Sequence, residues 1–300
     1  MDRRNFLTIT LPLVVARKSC AAAVIEPELV FGVIADPQYA DIEPNGTRFY
    51  RNSLAKLESA ITDLNSRPLS FVVTLGDLID RDLASFSAVM PIYAKLRHPH
   101  FPVCGNHDFV VADEDKGQVL PAMGLEKAYY SRIHGSRHFL FLDCTDIAPW
   151  RHPAGHPATA ESKKLLSEYA AAGTPQAKRW NGGIGKVQMQ WIREELDAAK
   201  QAGRQVIVFN HYPAIPLKRS NNLWNAEELL ALFVEYDHIA AYMNGHIHSG
   251  NYGIHEAIHY VNFKGMVEFE KKTAYAIVRC FPDRLEIQGY GIEPDRRLEC

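Results

Sequence analysis

Five apolar runs in this sequence stop at groups able to hold a cation or move a proton. Run 29–35 meets Asp36-Pro37-Gln38, run 71–75 meets Gly76-Asp77, and a third ends at Val103-Cys104 before Gly105-Asn106-His107-Asp108. Run 206–209 meets Asn210-His211, and run 239–243 leads to Asn244-Gly245-His246-Ile247-His248. Asp36, Gln38, Asp77, Asn106, His211, His246 and His248 together supply carboxylate, amide and imidazole donors and no thiolate. Such a set suits Mn²⁺, Fe²⁺ or Zn²⁺ at a reactive site better than Cu⁺ or a structural zinc. Seven donors are too many for one small cation and fit two that share a carboxylate. Paired metals of this kind sit about 3.5–4 Å apart, activate a water and clamp both ends of an in-line displacement, which is phosphoester chemistry. In the third motif His107 offers a group that can titrate near neutral pH, and Asp108 is a carboxylate able to hold the imidazole in one tautomer.

Taken singly, each residue has an ordinary explanation. A lone histidine after a strand is more often packed or solvent-facing than a ligand, the reading given to His98, His134 and His259. The series becomes a site only if the five strand ends converge. Continuous apolar runs suit strands buried on both faces, and in open α/β sheets the carboxyl ends of such strands gather along one edge. Helical spacing over 47–64 and 83–96 alternates with the first three runs, so an α/β chain is expected. A further strand is expected at 139–142, after a less regular stretch over 109–137. Helices are expected from Val187 onward and over 227–236. The proline-bearing segment 145–180, with a polar helical piece over 162–172, is a candidate cap over the site. Runs 258–263, 275–280 and 284–287, separated by turn residues, are expected to be antiparallel strands.

Composition narrows the partners. With 47% hydrophobic and 23% charged residues in 300, the chain can bury a large core. No apolar stretch is long enough to span a membrane. The N-terminal Met1-Asp2-Arg3-Arg4-Asn5-Phe6-Leu7, a short apolar core and Ala21-Ala22-Ala23 have the layout of an export signal, and the paired arginines resemble a twin-arginine leader. Periplasmic export with cleavage after Ala23 is the expectation, a cytoplasmic location the alternative. Residues 24–300 are then expected as a single domain. Without the first 23 residues the chain has 29 basic and 34 acidic residues, a net −5. A mildly acidic body argues against a nucleic-acid binder that relies on a broad basic face and leaves a small phosphorylated substrate open. The five cysteines show no paired spacing, so neither a disulfide framework nor a thiolate zinc site is expected.

In this order the motifs resemble the D-x-H, GD, GNHD/E, H and GHxH series of the calcineurin-like metallophosphoesterases, over nearly everything from Leu29 onward. The resemblance implies a four-layer fold of two mixed β-sheets flanked by α-helices. It implies one cation held by Asp36, Gln38, Asp77 and His248 and a second by Asp77, Asn106, His211 and His246. His107 would stabilise charge on the phosphate or protonate the leaving oxygen, with Asp108 orienting it. Most of that superfamily has histidine where Gln38 stands, and a harder, weaker amide oxygen biases the site toward Mn²⁺. Gln38, together with stretches 36–41, 48–54, 181–185 and 289–296, looks like the branch of Mn²⁺-dependent ADP-ribose/CDP-alcohol diphosphatases. That resemblance implies hydrolysis of the pyrophosphate bond in small nucleoside diphosphate conjugates. Loop 41–48 is shorter than in the animal members, which place a base-stacking aromatic there, so base preference stays open. A phosphomonoesterase or cyclic-nucleotide phosphodiesterase would use the same cations. A metal-free binding scaffold would have lost ligands. Purple acid phosphatases need a tyrosine three residues after the GD aspartate, where this chain has Asp80. Trp180, Asn222, Trp224 and His255 are candidate rim residues, with core packing or solvent exposure as the alternative.

Overall fold

The structure, a computed structural model, describes residues 26–300. The leader expected over 1–23 lies outside the described residues. Strand β1 (Leu29–Ile34) is followed by helix α1 (Ser53–Asn65), β2 (Phe71–Thr74), α2 (Ala84–Tyr93), β3 (His100–Pro102) and a short α3 (Val119–Ala122). Then come β4 (Tyr130–His134), β5 (Arg137–Phe141), α4 (Pro157–Ala171), α5 (Lys186–Gln201), β6 (Gln205–Phe209) and α6 (Ala226–Phe233). The chain ends with β7 (Ile239–Asn244), β8 (Asn251–His255), β9 (Ile258–Asn262), β10 (Ala274–Cys280), β11 (Arg284–Gly291) and β12 (Arg296–Glu299). One six-stranded sheet has the order β12-β11-β10-β1-β2-β3, the other β4-β5-β6-β7-β9-β8. Strands β1, β2 and β3 run parallel to one another, as do β5, β6, β7 and β9.

Side-chain alternation explains the layering. Along β1, Phe31 and Val33 enter the core between the sheets with Phe71, Phe139, Phe141 and Phe209, while Ile34 turns outward to Leu57, Ile61 and Leu64 of α1. On the other sheet Val206 and Val208 face Ile192 and Leu196 of α5. Helix, sheet, sheet and helix form the four layers. Inside the sandwich Phe31 stacks on Phe71 with ring centroids 4.9 Å apart and meets Phe139 and Phe209 edge-on. Truncating one such phenylalanine to alanine costs about 3–5 kcal/mol.

Three local readings change. Helix α1 begins at Ser53 rather than Thr47, because residues before it pair with the chain near Glu268. Phe49 donates to the Val267 carbonyl and Phe269 to that of Thr47. Strand β9 is antiparallel to β8 but parallel to β7, so run 258–263 is not part of a purely antiparallel set. Helix α4 starts at Pro157, where His156 accepts a hydrogen bond from the Ala158 N–H and proline occupies the first turn. Segment 145–180 docks near the third motif, with the Arg151 guanidinium 4.0 Å from the Phe109 ring centroid. Among the described residues, no helix is long and apolar enough to cross a membrane.

Candidate metal centre

All five strand ends open on the same edge of the sandwich: β1, β2 and β3 from one sheet, β6 and β7 from the other. Asp77, His211 and His246 each place a donor atom within 4.8 Å of the others'. His211 Nε2 lies 3.2 Å from Asp77 Oδ2, 3.2 Å from Asn106 Oδ1 and 3.2 Å from His246 Nδ1. His248 Nε2 lies 3.5 Å from Asp36 Oδ1, and the Asp36 carboxylate accepts the His246 backbone N–H. Gln38 enters through its backbone, which donates to the Asp77 carbonyl at 2.7 Å. The fold thus links Asp36, Asp77, Asn106, His211, His246 and His248 at one place and ties Gln38 to it through the backbone.

Close approach explains the motif glycines. A Cβ on Gly105 would sit 2.2 Å from Asp77 Oδ1, one on Gly76 2.6 Å from His211 Nδ1, and one on Gly245 2.5 Å from Asp36 Oδ2. Any side chain there collides with a donor. Asp36, Gln38, Asp77 and His246 also have φ of 47°, 46°, 52° and 72°, in the left-handed region. Each such residue costs about 1–2 kcal/mol, strain that the surrounding structure holds in place.

The histidine tautomers are set from behind. The Leu75 carbonyl accepts from His211 Nδ1 at 2.7 Å, and the Glu268 carboxylate takes His248 Nδ1 at 2.7 Å, so each ring presents Nε2 to the cleft. Neither Glu268 nor its support, Lys56, was recognisable from the sequence. Lys56 is buried on α1 and donates to the carbonyls of Met266, Glu268 and Phe269, fixing the loop that carries Glu268. Burial pulls its amine down to about 8 against the opposing charge of Glu268.

Asp108 does not orient His107. Its buried carboxylate accepts the backbone N–H groups of Gly105, Asp77, Leu78 and Ile79, welding the second motif to the third. Burial, then the nearby Asp77 charge, pushes it up to about 7. The partner of His107 Nδ1 is Asp80, 3% exposed and in ion-pair contact but not aligned as a hydrogen bond. Asp80 also accepts from Gln38 Nε2 at 3.0 Å. The sequence signal for Asp80 was its place three residues after Asp77, which served only to exclude a tyrosine.

A pair of divalent cations suits this donor set. Gln38 Oε1 is buried without a hydrogen-bond partner, and two imidazole nitrogens face each other between a carboxylate and an amide oxygen. An unmet buried carbonyl costs about 1–3 kcal/mol, which a cation removes. Burial opposes protonation of His211, yet Asp77 and then Asp36 raise it to about 9; for His248, Asp36 and Glu268 likewise overcome burial and raise it to about 9. Where these rings carry a proton, ligation must expel it. At pH 7, Mn²⁺ loading is expected to release about two protons. Calorimetry in buffers of different ionisation enthalpy should show heats that differ accordingly, with apparent affinity rising from pH 7 to 9 and levelling above. Buffer-independent heats would contradict this.

Residues 29–250 match the sequence model of the calcineurin-like phosphoesterases. The chain belongs to this family. As a metallophosphoesterase it is a hydrolase. It is similar to a protein of Arabidopsis thaliana named manganese-dependent ADP-ribose/CDP-alcohol diphosphatase, 28% identical over 89% of this chain and 96% of that one. A human protein of the same name is 29% identical over 89% of this chain and 91% of its own. Its fold is similar to that of a dimetal phosphatase from Danio rerio, with a TM-score of 0.83 and 22% identity over 91% of this chain and 99% of that one. The phosphoesterase's candidate rim is partly structural. Trp224 and Asn222 are buried, their side chains donating to the Lys178 carbonyl and to the Ala214 and Pro216 carbonyls. Trp180 is 49% exposed, and its indole N–H donates to Asn221; His255 is half-buried on β8.

Proposed function

We propose that this phosphoesterase uses two Mn²⁺ ions to hydrolyse the pyrophosphate bond of small nucleoside diphosphate conjugates of the ADP-ribose or CDP-alcohol type. The observation that carries the reading is Gln38, whose unpaired Oε1 sits in the first motif where most of the superfamily has imidazole. The names of the curated relatives point the same way. A bound cation pair supplies an activated water and neutralises charge on the attacked phosphate. In this reading Asp36, Gln38, Asp77 and His248 hold one cation and Asp77, Asn106, His211 and His246 the other.

The remaining work falls to protein groups. Burial disfavours a charged His107, but Asp77 and then Asp80 raise its proton affinity, so the ring can carry a proton to the departing oxygen at neutral pH. Arg48 supplies a further positive charge. It lowers the proton affinity of both His107 and His248, its backbone pairs with Glu268, and among the described residues it forms no ion pair. A guanidinium suits the phosphate that is not attacked, and Arg48 is the one proposed for it.

The test is a Mn²⁺-loaded substrate panel of ADP-ribose, CDP-choline, a nucleotide monoester and a cyclic nucleotide. The pyrophosphates should be turned over fastest, and EDTA should abolish activity. Faster turnover of the monoester or the cyclic nucleotide would replace this reading with the corresponding one. Arg48→Ala should lower kcat/KM on the pyrophosphates by roughly 10- to 100-fold, the worth of a hydrogen bond to a charged group, and barely affect a monoester. An equal loss on both would exclude a role at the second phosphate.

A further inference from the structure

An amide presents two ends of nearly the same shape, one a donor and one an acceptor, so a glutamine at a cation site must be told which way to face. In this protein the instruction comes from Asp80. Its Oδ1 accepts from Gln38 Nε2 at 3.0 Å, and an ionised carboxylate can only accept. The nitrogen end is thereby committed, leaving Oε1 as the free, buried and unpartnered end. Asp80 is itself held. Its backbone donates to the Tyr39 carbonyl at 2.9 Å, Tyr39 donates to Leu78, and Arg81 Nε lies 3.3 Å from the other carboxylate oxygen. Loops 36–39 and 77–80 therefore run side by side, with the two side chains facing each other across them. The same Oδ1 also touches His107 Nδ1.

We propose that Asp80 is the positioning residue that turns the Gln38 carbonyl oxygen toward the cation. The inference rests on the metal-centre reading above and adds a dependence that the ligand set alone does not contain. Judged as a ligand, glutamate at position 38 should outperform glutamine, because a charged oxygen binds Mn²⁺ more tightly. Facing Asp80, it should do worse, because two carboxylates would meet in a buried site. Exchanging the two functions, with carboxylate at 38 and amide at 80, restores a donor opposite an acceptor.

The experiment measures Mn²⁺ binding to the full chain by calorimetry and by the paramagnetic resonance of free Mn²⁺, with melting of the metal-free proteins as the control for folding. Wild type should bind two ions. Gln38→Glu and Asp80→Ala should each weaken one of them by roughly 10- to 100-fold, the usual cost of losing the partner of a metal ligand. The double variant Gln38→Glu/Asp80→Asn should recover most of the loss. Asp80→Asn alone can still offer its carbonyl oxygen to Gln38 and should keep both ions; if the truncation Asp80→Ala unfolds the protein, the comparison of Gln38→Glu with Gln38→Glu/Asp80→Asn, which conserves side-chain shape, still tests the proposal. Tighter binding in Gln38→Glu, or no recovery in a double variant that melts like wild type, overturns the proposal while leaving the metal centre intact. A wild type that binds no Mn²⁺ removes both.

Discussion

Replacing Asp77 by asparagine is expected to lower kcat/KM by roughly 10³–10⁵-fold, several kcal/mol of lost charge stabilisation. Asparagine is the informative change because residue 77 has φ of 52°, a conformation that asparagine tolerates and alanine does not. The side chain has two tasks. Its Oδ2 lies among the proposed ligands, 3.2 Å from His211 Nε2, and its Oδ1 accepts the His107 backbone N–H at 2.8 Å. Burial disfavours its charge, but His211 and His107 hold its carboxyl below the usual carboxylate range, so it stays ionised at any working pH. An amide in its place would keep the shape and lose the charge. Steady-state kinetics at saturating Mn²⁺, with metal content measured on the same sample, checks this. Activity within tenfold of wild type would remove Asp77 from the centre of the account.

His107→Gln should lower kcat by about 10²–10⁴-fold with both cations retained, the range for loss of a proton donor. The position within that range should depend on the leaving group. A departing phosphate is a weak base, so a pyrophosphate should lie near the lower end, whereas an alkyl ester of the same nucleotide should lie near the upper end. His107 is suited to the role by its place rather than by its exposure. Its backbone is tied to Asp77, its Nδ1 side meets Asp80, and it stands at the head of the 3₁₀ turn over His107–Phe109. Equal losses for weakly and strongly basic leaving groups would assign the ring to charge stabilisation instead.

What could be read from the sequence depended on whether a residue's role was written in its own neighbourhood. Buried parallel strands are continuous apolar runs, so β1, β2, β6 and β7 and the polar groups at their ends were visible directly. Strands β4 and β8 were not. They are sheet edges whose Ser131, Arg132 and Asn251 break the apolar pattern, and only their partners' hydrogen bonds identify them. The start of α1 was misplaced because Phe49 fits a helical spacing while its N–H is taken by Val267, more than two hundred positions away. Similarly, Asp108 looked like the partner of its neighbour His107, but its carboxylate is surrounded by four backbone N–H groups that no local pattern announces. Asp80, Glu268 and Lys56 touch ligands or support them only through tertiary contacts. Motif residues were legible, and the groups that aim them were not.

The most direct measurement is the paramagnetic resonance of the full chain titrated with Mn²⁺. Strand ends that converge as described should hold two equivalents close enough to be magnetically coupled, at the roughly 3.5–4 Å separation of paired hydrolytic sites, and Asp77→Asn should abolish the coupled signal. A single uncoupled ion, or two ions that never couple and survive the loss of the Asp77 charge, would contradict the account.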